Sequence, residues 1–293
     1  FSGIILVKKF KVKFKLYYRQ DFVKKIIAVT LPFALAAIFA KIYAYMDTFL
    51  LKMFLGDAEV GFYSIAYKIT FALQFIPLAF VAALYPAFSS YFKNDYEQLK
   101  KVFAKAFNYL AFIALPVSFG VIALAEEIVA KLYTQEFSFS ILPLQVLIVS
   151  IPFLFINFSL SSFLNATNRQ KINTRNLGLV MALNVILNII FIPRLGIWGA
   201  SLASSLSTLL LFTLNLTAVL RVTSFKAKLF KPLIGSLFSA LIMFGVVLYM
   251  KDIIHWILSI IVGVIVYLVL MFITKTLKQS DIMFIKKSFG KPS

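Results

Sequence analysis

The sequence predicts an all-α integral membrane protein with about eight transmembrane helices. Hydrophobic residues make up 61% of the 293 residues and the mean hydropathy is +0.93, whereas soluble domains are about 45–50% apolar. The apolar residues are also gathered into long runs. Each run approaches the roughly 20 residues that an α-helix needs to cross a hydrocarbon core about 30 Å thick.

Eight such runs alternate with segments that are too short to form a soluble catalytic domain. Prolines interrupt several of the runs, and because each removes a backbone donor, a bend is predicted at Pro32, Pro77, Pro116 and Pro152. The predicted helices are Ile26–Leu51, Val60–Phe88, Val102–Ala125, Ile141–Asn165, Leu177–Pro193, Ile197–Leu220, Leu233–Met250 and Ile253–Ile273.

The positions of the basic residues predict the orientation of the chain. Of the 30 Lys and Arg residues, 24 fall on one side of the eight helices, which we call the basic side. The opposite side holds Lys52, Lys131, Arg194 and Lys251. By the positive-inside rule the basic side is cytoplasmic, together with both ends of this chain. The net charge of +19 is thereby explained without nucleic acid, and membrane lipids are the expected partners of the basic segments.

The composition excludes several kinds of chemistry. The chain has no cysteine and one histidine, which excludes disulfides, thiolate sites and histidine-rich metal clusters. No GxSxG, HExxH or P-loop motif occurs. We therefore expect no catalytic residue, no metal site and no cofactor, and we expect energy from an ion gradient, the membrane potential or the substrate's own gradient.

Two ionisable residues inside the first predicted helix point to a transport pathway. A charged side chain at a helix centre costs about 2.5–3.5 kcal/mol on insertion scales, so Lys41 and Asp47 should face a bundle interior or a wet cavity. Lys68, in the second helix, is expected at the depth of Asp47. The two could form a structural ion pair or line the pathway. Lys41 has no acid at its own depth and is too far from an interface to snorkel.

Further polar side chains are candidates for the same cavity. Tyr43 belongs to a group of tyrosines in the first two helices that would suit sugar rings. Asn184 and Asn188 are four residues apart and share a helix face. Such amides either join neighbouring helices or line a pathway. The small residues from Gly196 to Ser207 predict close helix packing.

The start of the chain, FSGIILV followed by a basic run, is not typical of a secretory signal, in which basic residues come first. We interpret it as the tail of a preceding membrane helix, so that the chain is the C-terminal part of a longer protein.

Two stretches resemble the polysaccharide exporters of the multidrug/oligosaccharidyl-lipid/polysaccharide (MOP) superfamily. Ser161–Leu211 contains the LNATNRQK turn, an N-x-x-x-N helix and IPRLGIWGAS. Leu31–Ile69 contains an acidic residue near the end of its helix and the VGFYSIAY link. The order and spacing of these elements carry the resemblance over nearly the whole chain.

The resemblance implies the C-terminal lobe, with two extra helices, of a MATE-like fourteen-helix transporter fold. The expected division is residues 1–25 as the end of a preceding helix and a basic cytoplasmic linker, 26–220 as a six-helix lobe, 221–274 as two additional helices and 275–293 as a basic cytoplasmic tail. A first six-helix lobe would be the missing partner.

The resemblance also implies a Wzx-type flippase in the cytoplasmic (inner) membrane. By alternating access it would move undecaprenyl-diphosphate-linked oligosaccharide repeat units for surface polysaccharide biosynthesis, with other polysaccharide assembly proteins as further candidate partners. Lys41 and Lys68 fit the diphosphate by residue type and depth.

Three other readings stay open. The chain could belong to another MOP branch, either a lipid II flippase or a drug/cation antiporter, although a single acid in the membrane core argues against cation-coupled drug export. It could be a membrane-embedded polysaccharide polymerase or ligase, although no long loop is present to carry catalytic residues. It could also be a fragment without activity.

Overall fold

A computed structural model describes residues 20–223 and 231–277, which are almost entirely helical and contain no strand. The predicted tail of a preceding helix at residues 1–7 and most of the basic C-terminal tail lie outside these ranges. The helices are α1 (Gln20–Leu55), α2 (Asp57–Leu73), α3 (Phe75–Asn94), α4 (Tyr96–Ala123), α5 (Ala125–Leu132), a 3-10 helix (Gln135–Ser140), α6 (Ile141–Val149), α7 (Ile151–Ala166), α8 (Gln170–Leu195), α9 (Ile197–Thr223), α10 (Lys231–Met250) and α11 (Trp256–Ile273).

The membrane spans agree with the prediction. Counting α2 and α3 as one, the described residues contain seven helices that are long and apolar enough to cross a membrane. The 3-10 helix and α6 together form one segment, and α7 forms the next. The two segments meet at a bend of 42° and give the eighth span. The prediction of about eight spans is thus confirmed, and the protein is a multi-pass membrane protein.

Two of the predicted proline bends coincide with breaks between helices. Pro77 follows the break between α2 and α3, and Pro152 follows the break between α6 and α7. Pro32 and Pro116 instead lie inside the continuous helices α1 and α4. The short helix α5 lies in a segment that the sequence predicts as a loop.

The helices pack in a chain of neighbours rather than around one axis. α1 packs on α8, α8 on α9, and α9 on α6 and α7. α4 then packs on α7 on one side and on α10 on the other, and α11 completes a hairpin with α10. Among the described elements, the α10–α11 hairpin therefore joins the rest of the bundle mainly through α4.

The small residues at the start of α9 pack closely, as the sequence predicts. A Cβ atom on Gly199 would overlap the backbone carbonyl oxygen of Phe191 in α8. Gly196, between the two helices, has a φ of +63°, a conformation that glycine adopts readily. Ala200 and Ala203 are fully buried. The turn thus brings the backbones of α8 and α9 together.

Two loops predicted on the opposite side meet in the structure. The Lys251 ammonium, in the turn between α10 and α11, lies 3.5 Å from a carboxylate oxygen of Glu126 and 3.3 Å from one of Glu127. Both glutamates are in the first turn of α5. This contact fits the alternation of loops that the basic residues predict.

Candidate functional site

Asp47 is a buried carboxylate inside the bundle. Its side chain is part of α1, eight residues before the helix ends at Leu55, and only 2% of the residue is exposed. No ion pair reaches it within the described part of the chain. A buried carboxylate without a cation requires hydrogen-bond donors around it, and three neighbouring helices supply them.

Each oxygen of Asp47 accepts hydrogen bonds from other helices. The Tyr63 hydroxyl of α2 donates to Oδ2 at 2.7 Å, and the Asn188 amide of α8 donates to Oδ1 at 2.7 Å. The Ser204 hydroxyl of α9 also donates to Oδ2. An ionised carboxylate is acceptor-only, and all three contacts are donors. Asp47 therefore joins α1, α2, α8 and α9 at one point.

The remaining members of the cluster surround these contacts. The Tyr43 hydroxyl lies 3.0 Å from Thr208 Oγ1 and donates to the backbone oxygen of Ser204 at 3.2 Å. Both polar side-chain atoms of Asn184, and Oδ1 of Asn188, are buried without a hydrogen-bond partner. We call this set, Tyr43, Asp47, Tyr63, Asn184, Asn188, Ser204 and Thr208, the Asp47 cluster.

The Asp47 cluster is rich in oxygen and holds a single formal charge. Carboxylate, amide and hydroxyl oxygens are ligands for hard cations, and the residues that could hold one are Asp47, Asn184, Asn188 and Ser204. A single carboxylate suits a monovalent cation better than a divalent one. The described residues contain no group of three or more His, Cys, Asp or Glu side chains that could hold a metal ion.

A structural ion pair, one of the two possibilities for Asp47 and Lys68, does not form in the structure. Asp47 points into the bundle, whereas Lys68 is exposed on α2. Depth along a helix places two residues at the same level, but rotation about the helix axis decides which way each side chain points. Lys68 follows Tyr63 by five residues, or about 140° of rotation, so it lies on a different face from the tyrosine that bonds Asp47.

Lys41 lies on an exposed face of α1. It belongs to a stripe with helical spacing, formed by Ile38, Lys41, Tyr45, Phe49 and Met53, which we call the Lys41 stripe. All five members are exposed, and the Lys41 ammonium lies 5.5 Å from the centre of the Tyr45 ring. Only 6% of the most apolar stretch of α1 is buried, compared with 44% in α4. The described part of the chain therefore leaves this face of α1 without a neighbour.

The structure thus divides the predicted site residues into two groups. Tyr43, Asp47, Asn184 and Asn188 come together in the Asp47 cluster, whereas Lys41 and Lys68 stay outside it. Sequence reasoning missed Ser204, Thr208 and the contact of Tyr63.

A signal for the missed contacts does exist in the sequence. All four residues lie at a similar distance from the helix end that faces the side opposite to the basic side. This distance is eight residues for Asp47 and six or seven residues for Tyr63, Asn188 and Ser204. At 1.5 Å per residue, all four side chains are about 9–12 Å from that side.

A second buried polar network joins α7, α8 and α9 nearer the basic side. The Asn215 amide nitrogen lies 2.9 Å from Asn157 Oδ1 and 3.2 Å from Asn173 Oδ1, and Asn176 donates to Asn215 Oδ1 at 2.9 Å. Asn215 is fully buried. Amide bonds of this kind fix the relative positions of membrane helices.

Comparisons with known proteins point to one group of transporters. A family model described as "Polysaccharide biosynthesis protein" matches residues 1–142. Agl15 of Haloferax volcanii, a probable low-salt glycan biosynthesis flippase, is 26% identical over 166 residues, which cover 56% of this chain and 35% of that protein. A probable lipid II flippase MurJ of Helicobacter pylori is 28% identical over 200 residues, which cover 64% of this chain and 42% of that protein.

A solved structure shows the same fold. A lipid II flippase MurJ in its inward closed conformation aligns with a TM-score of 0.71 and 20% sequence identity, over 92% of this chain and 58% of that one. This likeness confirms the predicted MOP-type transporter fold. The chain spans less than half the length of the two curated relatives described above.

Proposed function

We propose that this chain, which belongs to the MOP superfamily of membrane transporters, forms one lobe of a flippase for lipid-linked oligosaccharides. The flippases among its relatives support this activity, as does the match to a polysaccharide biosynthesis family. The chain would supply the six-helix lobe at residues 26–220 and two additional helices at 221–274.

The observation that carries the proposal is the exposed Lys41 stripe. Lys41 lies about halfway along α1, and an ammonium group facing lipid at that depth would cost several kcal/mol. A wet cavity between two lobes removes this cost and gives the ammonium an anionic partner. The diphosphate of a lipid-linked sugar is such a partner, since Lys binds phosphate as a point charge. Tyr45, beside Lys41, offers an aromatic surface for a sugar ring.

A first six-helix lobe is the proposed occupant of the space in front of α1. It would close the cavity over the Lys41 stripe, and alternating access between the lobes would carry the headgroup across while the lipid tail stays in the bilayer. Lys68 is a second candidate for the diphosphate. Tyr43, Asp47, Asn184 and Asn188 are enclosed in the described conformation, and they would reach the cavity only where the Asp47 cluster opens.

The proposed orientation follows from the basic loops. With the basic side cytoplasmic, the substrate would enter from the cytoplasmic leaflet of the inner membrane and leave on the outer one. We propose undecaprenyl diphosphate as the lipid carrier and surface polysaccharide assembly proteins as partners. The sequence contains no P-loop motif for ATP hydrolysis.

Lipid II is the second candidate substrate. Both a sequence relative and the solved structure are lipid II flippases, and lipid II also presents a diphosphate between a lipid and a sugar. The same Lys41 chemistry would serve either substrate, so the choice requires an experiment.

The test is complementation by the full-length protein. In a bacterial strain that lacks its repeat-unit flippase, the parent protein should restore surface polysaccharide and clear the accumulated lipid-linked intermediate. In a strain depleted of its lipid II flippase, growth would instead indicate the second substrate. Failure in both strains at normal protein abundance would contradict the proposal.

A matched pair of variants tests the role of Lys41. Lys41→Ala should abolish complementation because the diphosphate loses its cation. Lys52 is the control, since it lies on the same face three turns further along α1, in the last turn of that helix, where it pairs with Asp57 at 3.0 Å. Lys52→Ala should complement normally. Equal activity of the two variants would rule out the special role of Lys41.

A further inference from the structure

Pro116 leaves one carbonyl group of α4 without its usual donor. In an α-helix the amide of residue i+4 donates to the carbonyl of residue i, and proline has no amide hydrogen. The carbonyl of Phe112 therefore has no intrahelical partner at residue 116. The Tyr267 hydroxyl of α11 donates to this oxygen at 2.9 Å. Both residues lie in an apolar cluster between α4, α10 and α11.

The donation by Tyr267 extends to α10. Ser236 Oγ lies 2.6 Å from the Tyr267 hydroxyl, and Ser236 is fully buried. A tyrosine hydroxyl carries one hydrogen, which the Phe112 carbonyl already accepts. Ser236 must then be the donor to Tyr267. A directed series of two hydrogen bonds thus links α10 to α11 and α11 to the proline turn of α4.

Pro152 creates a related situation at the break between α6 and α7. Pro152 cannot donate to the carbonyl of Ile148, a fully buried residue, and the Ser150 amide at the break also points to this carbonyl. The Ser118 hydroxyl of α4 donates to the Ile148 oxygen at 2.7 Å. Ser118 lies two residues beyond Pro116, so α4 accepts a hydrogen bond from α11 and donates one towards α6 within six residues.

We propose that Tyr267 and Ser118 are positioning residues that link two proline sites, Pro116 and Pro152, through α4. Tyr267 satisfies the carbonyl released by Pro116, and Ser118 satisfies the carbonyl released by Pro152. The α10–α11 hairpin thereby holds α4 at Pro116, and α4 holds the 42° bend at the break between α6 and α7. This gives the two additional helices a mechanical role that does not depend on the substrate.

A double-mutant cycle distinguishes this role from simple packing. Tyr267→Phe keeps the ring and removes the hydroxyl, so it should lower the thermal unfolding midpoint of the full-length protein. Pro116→Ala restores an amide that can donate to Phe112. In the Pro116→Ala background, Tyr267→Phe should lower the unfolding midpoint much less, because the Phe112 carbonyl then has another donor. Tyr249→Phe is the control, since Tyr249 is 69% exposed on α10 and its loss should change nothing.

The same cycle applies to the second proline site. Ser118→Ala should lower the unfolding midpoint, and the loss should shrink when Pro152→Ala is also present. The exposed Ser90 provides the control variant Ser90→Ala. Because each cycle uses a different proline, agreement between the two would support one mechanism acting at both proline sites.

The geometry of α4 at Pro116 can be measured between spin labels at positions 101 and 122, which lie in α4 on either side of the proline. The distance distribution should shift or broaden in Tyr267→Phe and match the parent in Tyr249→Phe. The proposal is overturned if Tyr267→Phe costs the same with Pro116 and with Ala at that position, or if its distances equal those of the control.

Discussion

The hydroxyl of Tyr63 donates to the buried carboxylate of Asp47 across 2.7 Å. The two residues belong to consecutive spans that run in opposite directions. Asp47 lies eight residues before the end of α1 and Tyr63 lies six after the start of α2. Because the two residues lie at equal depth, their side chains can meet. The other partners of Asp47 come from α8 and α9. One carboxylate thus fixes four helices.

Replacing Asp47 should destabilise the protein strongly. Asp47→Ala leaves the donors of Tyr63, Asn188 and Ser204 without their acceptor, and each buried unsatisfied group costs about 1–3 kcal/mol. We expect a large drop in the thermal unfolding midpoint of the full-length protein in detergent. Asp57→Ala is the control, since the Asp57 side chain is 80% exposed. A similar midpoint for both variants would contradict the role of Asp47 as a hub.

Exchanging the charges of Asp47 and Lys68 should not restore stability. The D47K variant would place a buried ammonium group against three hydrogen-bond donors, without a carboxylate partner. K68A should fold like the parent because Lys68 is exposed. We expect the D47K/K68D double variant to be as poorly folded as D47K alone, measured by the monodisperse yield after purification. Recovery in the double variant would show that the two side chains do interact.

Asn215 should be the most sensitive residue of the amide network. Asn215→Leu removes a side chain that bonds Asn157, Asn173 and Asn176 and leaves their polar groups buried. In a double-mutant cycle with Asn157→Leu, we expect a coupling energy of about 0.5–3 kcal/mol, the range for residues in one network.

The control for Asn215 lies two residues away. Thr213 is exposed on the same helix and bonds only within α9, to the Leu209 carbonyl. Thr213→Ala should show no coupling with Asn157→Leu. Additive losses for Asn215 and Asn157 would mean that their hydrogen bond contributes nothing to stability.

The contact of Lys251 with Glu126 and Glu127 should contribute stability that depends on pH. Partial burial acts to lower the pKa of Lys251, but the hydrogen bonds and charges of Glu127 and Glu126 outweigh it and raise the pKa above its ordinary value of 10.5. A raised lysine pKa stabilises the fold fully below pH 10.5 and stops doing so as the pH passes the folded value.

Lys251→Met provides the measurement. The variant should unfold at a lower temperature than the parent near neutral pH. The gap should close as the pH rises beyond 10.5. Lys131→Met, an exposed substitution on the same side of the bundle as Lys251, should unfold at the same temperature as the parent. A gap that persists unchanged at high pH would show that Lys251 acts through packing alone.

The helices were predictable because the length of each apolar run can be read directly from the order of residues in the sequence. All eight predicted spans have a counterpart, and the breaks near Pro77 and Pro152 follow from the missing amide of proline. The existence of α5 was not predictable, because its eight residues are too few for a clear pattern. The Asp47–Lys68 pair, which the sequence left as one of two possibilities, is absent because equal depth does not fix the rotation of each helix.

The sequence by itself determined that this is a membrane protein, how many times it crosses, and which loops share a side, since these depend on hydropathy and charge along one dimension. Its motifs also indicated the transporter superfamily. Only the tertiary structure decided that Asp47 turns inward to Tyr63, Asn188 and Ser204 while Lys41 turns outward. The direction of a side chain depends on how each helix is rotated against its neighbours, and that rotation is fixed by packing between residues far apart in the chain.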